Sequence, residues 1–468
     1  MKAPPPPSPV AKRARVSPFV FLLVLFLLLF SFLYGEDLKE LLGSQAQARP
    51  RLHFNAAGAG GDGIELPAAA AAAATTEGRK ARRWRGRLPF AANGDGEEEE
   101  ECDVFSGRWV RDEAARPLYR EADCPYIPAQ LACEAHGRPE TAYQRWRWQP
   151  HGCALPAFDA AAMLDRLRGK RVMFVGDSLG RGQFTSLVCL LLAAVPDPAA
   201  RSFATSPDQQ RSVFTAAAYN ATVEFYWAPF LLQSNADNAA VHRISDRMVR
   251  RGSIGHHGRH WEGADVIVFN TYLWWCTGLQ FRILKASNDT NGETRREDGP
   301  FDAAAGNAST TTWVSTEEAY AMAFREMLQW AREHMDFATT RVFFTSMSPT
   351  HGKSQDWGGG EPGGNCYGET EMIGDAAYWG SDSRRGVMRA IREVLDGDGA
   401  DVPVTFLNVT QLSLYRKDAH TSVYKKQWTP PTPEQLADPK TYADCVHWCL
   451  PGLQDTWNEL LYTKLFYP

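Results

Sequence analysis

One serine in this sequence stands where a nucleophile would be useful. Ser178 occurs in VGDSLGRGQ, directly after the apolar run RVMFV and before a predicted helical run over 184–194. A serine hydroxyl becomes a good nucleophile only when a base accepts its proton. At a strand-to-helix turn the hydroxyl would be exposed, beside backbone N–H groups that can stabilise an oxyanion. The triplet alone is more typical of a serine that only caps a helix.

The expected base and carboxylate lie near the C-terminus, in the segment DCVHWC. Asp444 and His447 are three residues apart, so one helical turn or a tight loop places both on one side. His447 could accept the Ser178 proton through one ring nitrogen while Asp444 holds the other. Two alternatives are a purely local turn and a zinc site that includes Cys445 and Cys449. Zinc needs a fourth ligand and reduced thiols, so we expect no metal.

A third group follows another apolar run, DVIVF. The side-chain amide of Asn270 could donate to an oxyanion together with the backbone N–H of Ser178. An Asn that caps a turn beneath a core aromatic cluster is equally compatible with the sequence. Tyr272, Trp274 and Trp275 come next and could form a wall that faces carbohydrate.

Two further histidines compete as the base. His420 occurs in KDAHTSVY and His351 in SPTHG, and neither has an Asp three residues before it. We therefore expect each to be structural or to line the substrate site.

These residues need an α/β framework. Short apolar runs predict buried strands at 171–175, 265–269, 341–345 and, more weakly, 402–407. Ser315 and Glu318 predict a capping box that opens a helix to about Met335, and 383–395 predicts another helix. Alternating strands and helices favour an open, mostly parallel sheet flanked by helices, with chemistry at the carboxyl ends of the strands.

The N-terminal region predicts a membrane anchor. Residues 16–34 carry no charge and are long enough to cross a bilayer as a helix. Basic residues precede this run and acidic residues follow it, which places 1–15 in the cytoplasm and the rest in the lumen. A cleaved signal peptide is the alternative, but no clear small-x-small site follows. Residues 35–101 lack a sustained apolar pattern and predict a disordered luminal stem before a globular domain at 102–468.

Composition agrees with a luminal globular domain. The formal net charge is -5, which argues against a dedicated nucleic-acid binder. All nine cysteines lie at or after Cys102, and an oxidising compartment favours disulfides with at least one thiol left over. Four sequons predict N-glycosylation, at Asn220, Asn288, Asn307 and Asn408.

Five stretches together carry a family resemblance. They are CDVFSGRWVRDEAARPLYREADCPYI (102–127), GRPE (137–140), YQRWRWQPHGCALPAFD (143–159), LRGKRVMFVGDSLGRGQFTSLVCLL (167–191) and DCVHWCLPGLQDTWNELL (444–461). They closely resemble the plant trichome birefringence-like family, which looks like a branch of the GDSL/SGNH hydrolase superfamily. The resemblance covers about 102–468, and the paired GDS and DCxHWCLPG motifs are specific together.

The resemblance implies a function. Members of the family are Golgi-anchored polysaccharide O-acetyltransferases, here a single-pass type II membrane protein with a luminal catalytic domain. It implies that Ser178, Asp444 and His447 act as a triad through an acetyl-serine intermediate. No bound cofactor is expected, and acetyl-CoA is the simplest acetyl donor as co-substrate. Arg181, Trp274 and Trp275 are candidates for holding the glycan.

The resemblance also extends to the acceptor and the disulfides. Arg-Gly-Gln at 181–183 resembles the branch that acts on O-2 or O-3 of xylosyl residues in xylan, whereas most relatives have Arg-Asn-Gln. Transfer to mannan, xyloglucan or pectin, an acetyl esterase with the same triad, and a non-catalytic glycan-binding scaffold that keeps the fold are the alternatives. Cys276 looks like the extra cysteine. The implied pairs are Cys102–Cys153, Cys124–Cys189, Cys133–Cys449 and Cys366–Cys445.

Overall fold

The structure of the chain is a computed structural model. It describes residues 88–91, 102–241, 247–277, 280–284, 301, 311–359, 363–381 and 384–468. The predicted tail, membrane anchor and most of the stem lie outside these ranges, as do the sequons at Asn288 and Asn307. None of the helices in the described ranges has the length and apolar character needed to cross a bilayer.

The strands of the described residues are short. They are β1 (Gly107–Arg111), β2 (Trp146–Pro150), β3 (Arg171–Gly176), β4 (Arg201–Thr205), β5 (Arg211–Ala216), β6 (Ala221–Trp227), β7 (Met248–Arg250), β8 (Val266–Asn270), β9 (Gln280–Leu284), β10 (Thr311–Ser315), β11 (Arg341–Thr345), β12 (Val404–Leu407), β13 (His420–Ser422) and β14 (Asp444–Trp448). All four runs predicted as strands are strands, with bounds within two residues of the prediction.

A seven-stranded sheet forms the centre of the fold. Its strands lie in the order β12, β11, β8, β3, β6, β5, β4. The first five are mutually parallel, and β5 and β4 continue the sheet antiparallel. Strands β8 and β11 are buried along their whole length, because both faces of a parallel sheet are covered. The expected mostly parallel α/β sheet is confirmed.

The helices connect and cover these strands. They are α1 (Ala160–Arg166), α2 (Ser178–Leu191), α3 (Ile254–Gly258), α4 (Thr316–His334), α5 (Arg385–Asp396), α6 (Thr410–Leu414), α7 (Pro433–Ala437) and α8 (Leu453–Phe466). The predicted capping box is present at the start of α4, where Ser315 accepts from the Glu318 backbone N–H. Helix α2 packs on α8, and α4 packs on α5.

Helix α2 differs from its prediction. It begins at Ser178, six residues before the expected start, and ends at Leu191. A turn of 3₁₀ helix at Leu192–Ala194 follows it. Glycines at 180 and 182 weaken the local helix signal, but almost the whole helix is buried, so packing decides its length.

The described residues also form three smaller sheets. Strands β1 and β2 form an antiparallel pair, β10, β9 and β7 form a second sheet, and β13 pairs with β14. The structure has four disulfides, and they are the four pairs that the family resemblance implies. One of them, Cys133–Cys449, joins the N-terminal region to the C-terminal segment. Cys276 has a free thiol.

Candidate active site

The Gly-Asp-Ser turn lies where two neighbouring strands end. Gly176 ends β3 and lies beside Asn270, which ends β8. A Cβ built on Gly176 would come within 1.7 Å of the Asn270 carbonyl oxygen, and its φ of +154° also disfavours a side chain. Only glycine allows this close approach of the two backbones. The turn therefore delivers Ser178 next to Asn270.

Ser178 does not cap the helix that follows it. Asp177 is the N-cap of α2, and its Oδ1 accepts from the Leu179 backbone N–H at 2.9 Å. The interpretation of Ser178 as the capping residue is therefore wrong. Ser178 is the first residue of the helix, so its hydroxyl is available and its backbone N–H lies among groups without a partner within the helix.

The side chains of Ser178, His447 and Asp444 form a continuous chain of contacts. Ser178 Oγ is 2.8 Å from His447 Nε2. His447 Nδ1 is 2.9 Å from Asp444 Oδ2 and 3.1 Å from Oδ1. A carboxylate at Nδ1 fixes the tautomer that leaves Nε2 free to accept the serine proton. This arrangement can activate a serine for attack on an acyl carbon.

The carboxylate of Asp444 is held ionised. Burial by itself would raise the pKa of Asp444, but the charge and hydrogen bonds of His447 outweigh burial and lower that pKa below its usual range. Lys425 Nζ, 3.9 Å from Asp444 Oδ2, acts in the same direction. An ionised Asp444 can stabilise the imidazolium that forms when His447 takes a proton.

The Asp-x-x-His segment is a strand with a local turn, not a helical turn. Asp444 and His447 belong to β14, and the pairing of β14 with β13 shifts register between His420 and Ser422. Asp444 Oδ1 accepts from the backbone N–H groups of Val446 and His447, each at 3.1 Å. This bend brings together two side chains that would face opposite sides of a regular strand.

Two disulfides fix the histidine segment, which is residues 444–449. Cys445 pairs with Cys366, and Cys449 pairs with Cys133. Their sulfur atoms are therefore in disulfides, which removes the thiolates that the zinc alternative requires.

His420 and His351 lie behind the histidine segment. Both are buried, and His351 Nδ1 is 2.7 Å from His420 Nε2. His420 Nδ1 lies 3.1 Å from the His447 carbonyl oxygen, and its ring stacks on Trp448 at 3.8 Å. Burial lowers the pKa of His420 well below its usual value, and the neighbouring His351 adds to this effect. These contacts are structural, as expected.

Helix α8 connects α2, the serine helix that begins at Ser178, to the histidine segment. Gln454 Nε2 donates to the Leu179 carbonyl at 2.9 Å. Asp455 accepts from Ser186 Oγ at 2.6 Å through Oδ1 and from the Gly452 backbone N–H at 2.7 Å through Oδ2. Because α8 follows the histidine segment in the chain, these buried contacts fix the position of α2 against that segment. No pattern in the sequence indicated them.

Asn270 ends β8 beside the Gly-Asp-Ser turn, and its side-chain amide has a donor without a partner among the described residues. Its side chain is buried, and a Cβ on Gly180 would touch its Cβ at 3.4 Å. Its Nδ2 has no hydrogen-bond partner among the described residues. A buried amide donor without a partner is costly unless another ligand uses it. The role of Asn270 and of the Ser178 N–H as oxyanion donors remains a prediction.

The aromatic residues after Asn270 belong to the core. Trp275 has no exposed surface, and its Nε1 donates to Thr271 Oγ1 at 2.9 Å. Trp274 is 7% exposed, and its ring packs edge-on against Trp227. The prediction that Trp274 and Trp275 form a sugar-facing wall is therefore wrong. A sequence gives no sign of which way aromatic residues after a strand will face.

Arg181 is half-buried on the first turn of α2. Its guanidinium carbon lies 5.2 Å from the centre of the Trp227 ring and 5.6 Å from that of Phe225. Burial lowers the pKa of Arg181, and the charge of Asp177 opposes that effect. A substrate-binding role for Arg181 remains a prediction.

The free thiol of Cys276 is not reactive. Burial raises the pKa of the Cys276 thiol to about 12, so the thiol stays protonated and is a poor nucleophile.

Two of the four sequons lie in the described residues. Asn220 and Asn408 have exposed side chains, which glycosylation requires.

Comparison with known proteins identifies the family. Residues 155–464 match the family model described as "GDSL/SGNH-like Acyl-Esterase family found in Pmr5 and Cas1p", and residues 100–154 match the "PMR5 N terminal Domain". Probable xylan O-acetyltransferase 9 of Oryza sativa subsp. japonica is 94% identical over 470 residues, 100% of both chains.

More distant relatives share the domain. Xylan O-acetyltransferase 14 of the same rice is 44% identical over 391 residues, 81% of this chain and 80% of the relative. Protein trichome birefringence-like 35 of Arabidopsis thaliana is 45% identical over 367 residues, 78% of this chain and 76% of the relative. The chain belongs to the GDSL/SGNH-like acyl-esterase family, in its trichome birefringence-like group.

Proposed function

We propose that this protein transfers acetyl groups to O-2 or O-3 hydroxyls of xylosyl residues in cell-wall xylan, through an acetyl-serine intermediate. The observation that carries the proposal is the line from Ser178 Oγ through His447 to Asp444, with contacts of 2.8 and 2.9 Å. Relatives that match most of the chain are named xylan O-acetyltransferases, which supports xylan as the acceptor.

The first half-reaction acylates the serine. His447 Nε2 takes the proton from Ser178 Oγ as the oxygen bonds to the acetyl carbonyl carbon of the donor. The Ser178 N–H and the Asn270 amide donate to the oxyanion. With acetyl-CoA as donor, the carbon–sulfur bond then breaks, and the thiolate leaves with the proton from His447. Asp444 stabilises the imidazolium in between.

The second half-reaction returns the serine. A xylosyl hydroxyl loses its proton to His447 Nε2 as its oxygen bonds to the acetyl carbon. The bond from Ser178 Oγ to that carbon breaks, and Ser178 recovers the proton from His447. Water can enter the same step in place of the sugar, so transfer requires a bound glycan that is correctly oriented and excludes water.

The cellular setting is part of the proposal. We place the protein in the Golgi membrane, anchored by residues 16–34 with the catalytic domain in the lumen. The four disulfides support an oxidising compartment. Acetyl-CoA is the proposed donor in the simplest case, and we expect no tightly bound cofactor.

Product analysis tests the function. Full-length protein is incubated with acetyl-CoA and xylohexaose, and products are analysed by mass spectrometry and NMR. We expect acetylated xylohexaose with the acetyl group on O-2 or O-3, and we expect Ser178→Ala to abolish it. Ser413→Ala changes a buried serine outside the triad and serves as the control. Acetylated product from Ser178→Ala at the wild-type rate would refute the mechanism.

An acetyl esterase is the second candidate, because the same triad can pass the acetyl group to water. A parallel reaction with acetylated xylan and no acceptor measures released acetate. The rate of this acetate release is compared with the rate of acetyl transfer from acetyl-CoA to saturating xylohexaose. If acetate release is the faster of the two, the protein is an esterase and not a transferase. Acetylation of manno-, xyloglucan or pectic oligosaccharides in preference to xylohexaose would reassign the acceptor.

A further inference from the structure

A cluster of metal-ligating side chains lies outside the triad. Asp237 belongs to the segment that follows β6, and His256 and His257 belong to helix α3. One ligand atom from each of these residues lies within 4.8 Å of the others. His257 is buried, whereas Asp237 and His256 are partly exposed, so the cluster has an open side.

Asp237 and His257 lie close together, but they do not form an ordinary hydrogen bond. His257 Nε2 is 3.3 Å from Asp237 Oδ2, yet this buried nitrogen has no hydrogen-bond partner of acceptable geometry among the described residues. Two ligands of a tetrahedral Zn²⁺ at about 2.0–2.1 Å are roughly 3.4 Å apart. The observed separation therefore fits two atoms that share an ion better than a donor and its acceptor.

Neighbouring groups orient both ligands. Ser234 donates to Asp237 twice, from its backbone N–H to Oδ2 at 2.9 Å and from its hydroxyl to Oδ1 at 2.5 Å. His257 Nδ1 lies 3.3 Å from the Tyr226 hydroxyl, which is itself buried on β6. In protein metal sites, the ring nitrogen that does not bind the metal typically makes such a second contact, and ligating carboxylates are also hydrogen-bonded.

We propose that Asp237, His256 and His257 bind a divalent cation of the zinc type, with one further position open to water. Two imidazoles and one carboxylate are a donor set that zinc uses. The ion would tie the segment after β6 to helix α3. That segment also contacts the end of β8, where Thr271 Oγ1 donates to the Pro229 carbonyl at 2.5 Å. The site is independent of the acetyl-transfer proposal.

Metal binding to the full-length protein in detergent, prepared without a histidine tag, tests this site. Protein stripped with a chelator and dialysed is titrated with Zn²⁺, and bound metal is counted by elemental analysis. Co²⁺ is titrated in parallel, because tetrahedral cobalt gives an intense visible absorption. We expect one equivalent of either ion per chain. Asp237→Asn, His256→Gln and His257→Gln should each weaken binding at least 10-fold.

His151→Gln is the matched control, because His151 is exposed and lies outside the cluster. This variant should bind like the wild type. Zn²⁺ should also raise the melting temperature of the wild type and of His151→Gln, and it should raise that of Asp237→Asn less at the same Zn²⁺ concentration. Failure of the stripped wild type to bind one equivalent overturns the proposal, whatever the variants do. Binding that survives all three cluster substitutions also overturns it.

Discussion

The side-chain amide of Gln454 occupies the space beside Gly182 where any other residue would carry its Cβ. A Cβ built on Gly182 would come within 2.2 Å of Gln454 Oε1 and 2.8 Å of Nε2. Gln454 is buried and donates to the Leu179 carbonyl, one residue after the proposed nucleophile. The glycine therefore allows α8 to contact the first turn of the serine helix.

Gly182→Ala should destabilise the protein by about 1–3 kcal/mol, because the buried Gln454 amide must leave its hydrogen bond or clash. The same change in a helix without such a neighbour normally stabilises by roughly 0.5–1 kcal/mol. Chemical denaturation measures the difference. Gly182→Ala combined with Gln454→Ala should recover part of the loss. If Gly182→Ala alone were as stable as the wild type, the Gln454 amide would be able to move without loss of folding free energy.

Asn270→Ala should reduce kcat by about 100- to 1,000-fold, because it removes a proposed oxyanion donor. The unfolding free energy should hardly fall, since the Nδ2 has no partner to lose among the described residues. Acetyl-transfer kinetics and thermal melting are measured on the same samples. Asn458→Ala is the control. Asn458 Nδ2 donates to the Gln183 carbonyl and the Ser186 hydroxyl, so this variant removes a buried amide that already has partners. If Asn270→Ala retained wild-type kcat, Asn270 would be a purely structural residue.

The Cys366–Cys445 disulfide should matter for catalysis as well as for stability. Cys445 adjoins Asp444, so replacing Cys366 and Cys445 by Ser should cost about 2–5 kcal/mol and also lower kcat. Replacing the Cys102–Cys153 pair, which is in the N-terminal region, should cost stability but leave kcat of the folded fraction nearly unchanged. Equal loss of kcat in both double variants would contradict a local role for Cys445.

Asp455 should make stability depend on pH. Burial raises its pKa from 3.8 to about 6, so the folded state holds this proton more tightly than the unfolded state. Stability from this group is therefore greatest below pH 4 and is lost as pH rises through about 6. The full difference corresponds to about 3 kcal/mol.

Melting curves between pH 5 and 7.5 test this effect. The wild type should lose stability over this range relative to Asp455→Asn, which cannot titrate at that position. Parallel curves for the two proteins would contradict a raised pKa at Asp455.

Local patterns in the sequence predicted the central strands and the helix after Ser315, because these elements follow from apolar runs and a capping box. The triad was also predictable, but only from paired motifs. Ser178 and His447 are 269 residues apart, so their contact depends on the whole fold. The strand that carries Asp444 and His447 was not predicted, because its pairing with β13 is non-local.

Other features had no local signal. The contacts of Gln454 and Asp455 with α2 join positions more than 260 residues apart. Trp274 and Trp275 were predicted to face substrate, but they pack in the core. An aromatic pair after a strand suits either role, and only the neighbouring elements decide between them.

Ser178 is proposed to carry the acetyl group between donor and acceptor. Mass spectrometry can detect this intermediate in protein that is mixed briefly with acetyl-CoA, quenched in acid and digested. We expect an acetyl group on the Ser178 peptide that disappears when xylohexaose is added, and no acetyl group on that peptide in Ser178→Ala. Acetylated xylohexaose formed by the wild type at full rate, with Ser178 unmodified at every time point, would contradict it.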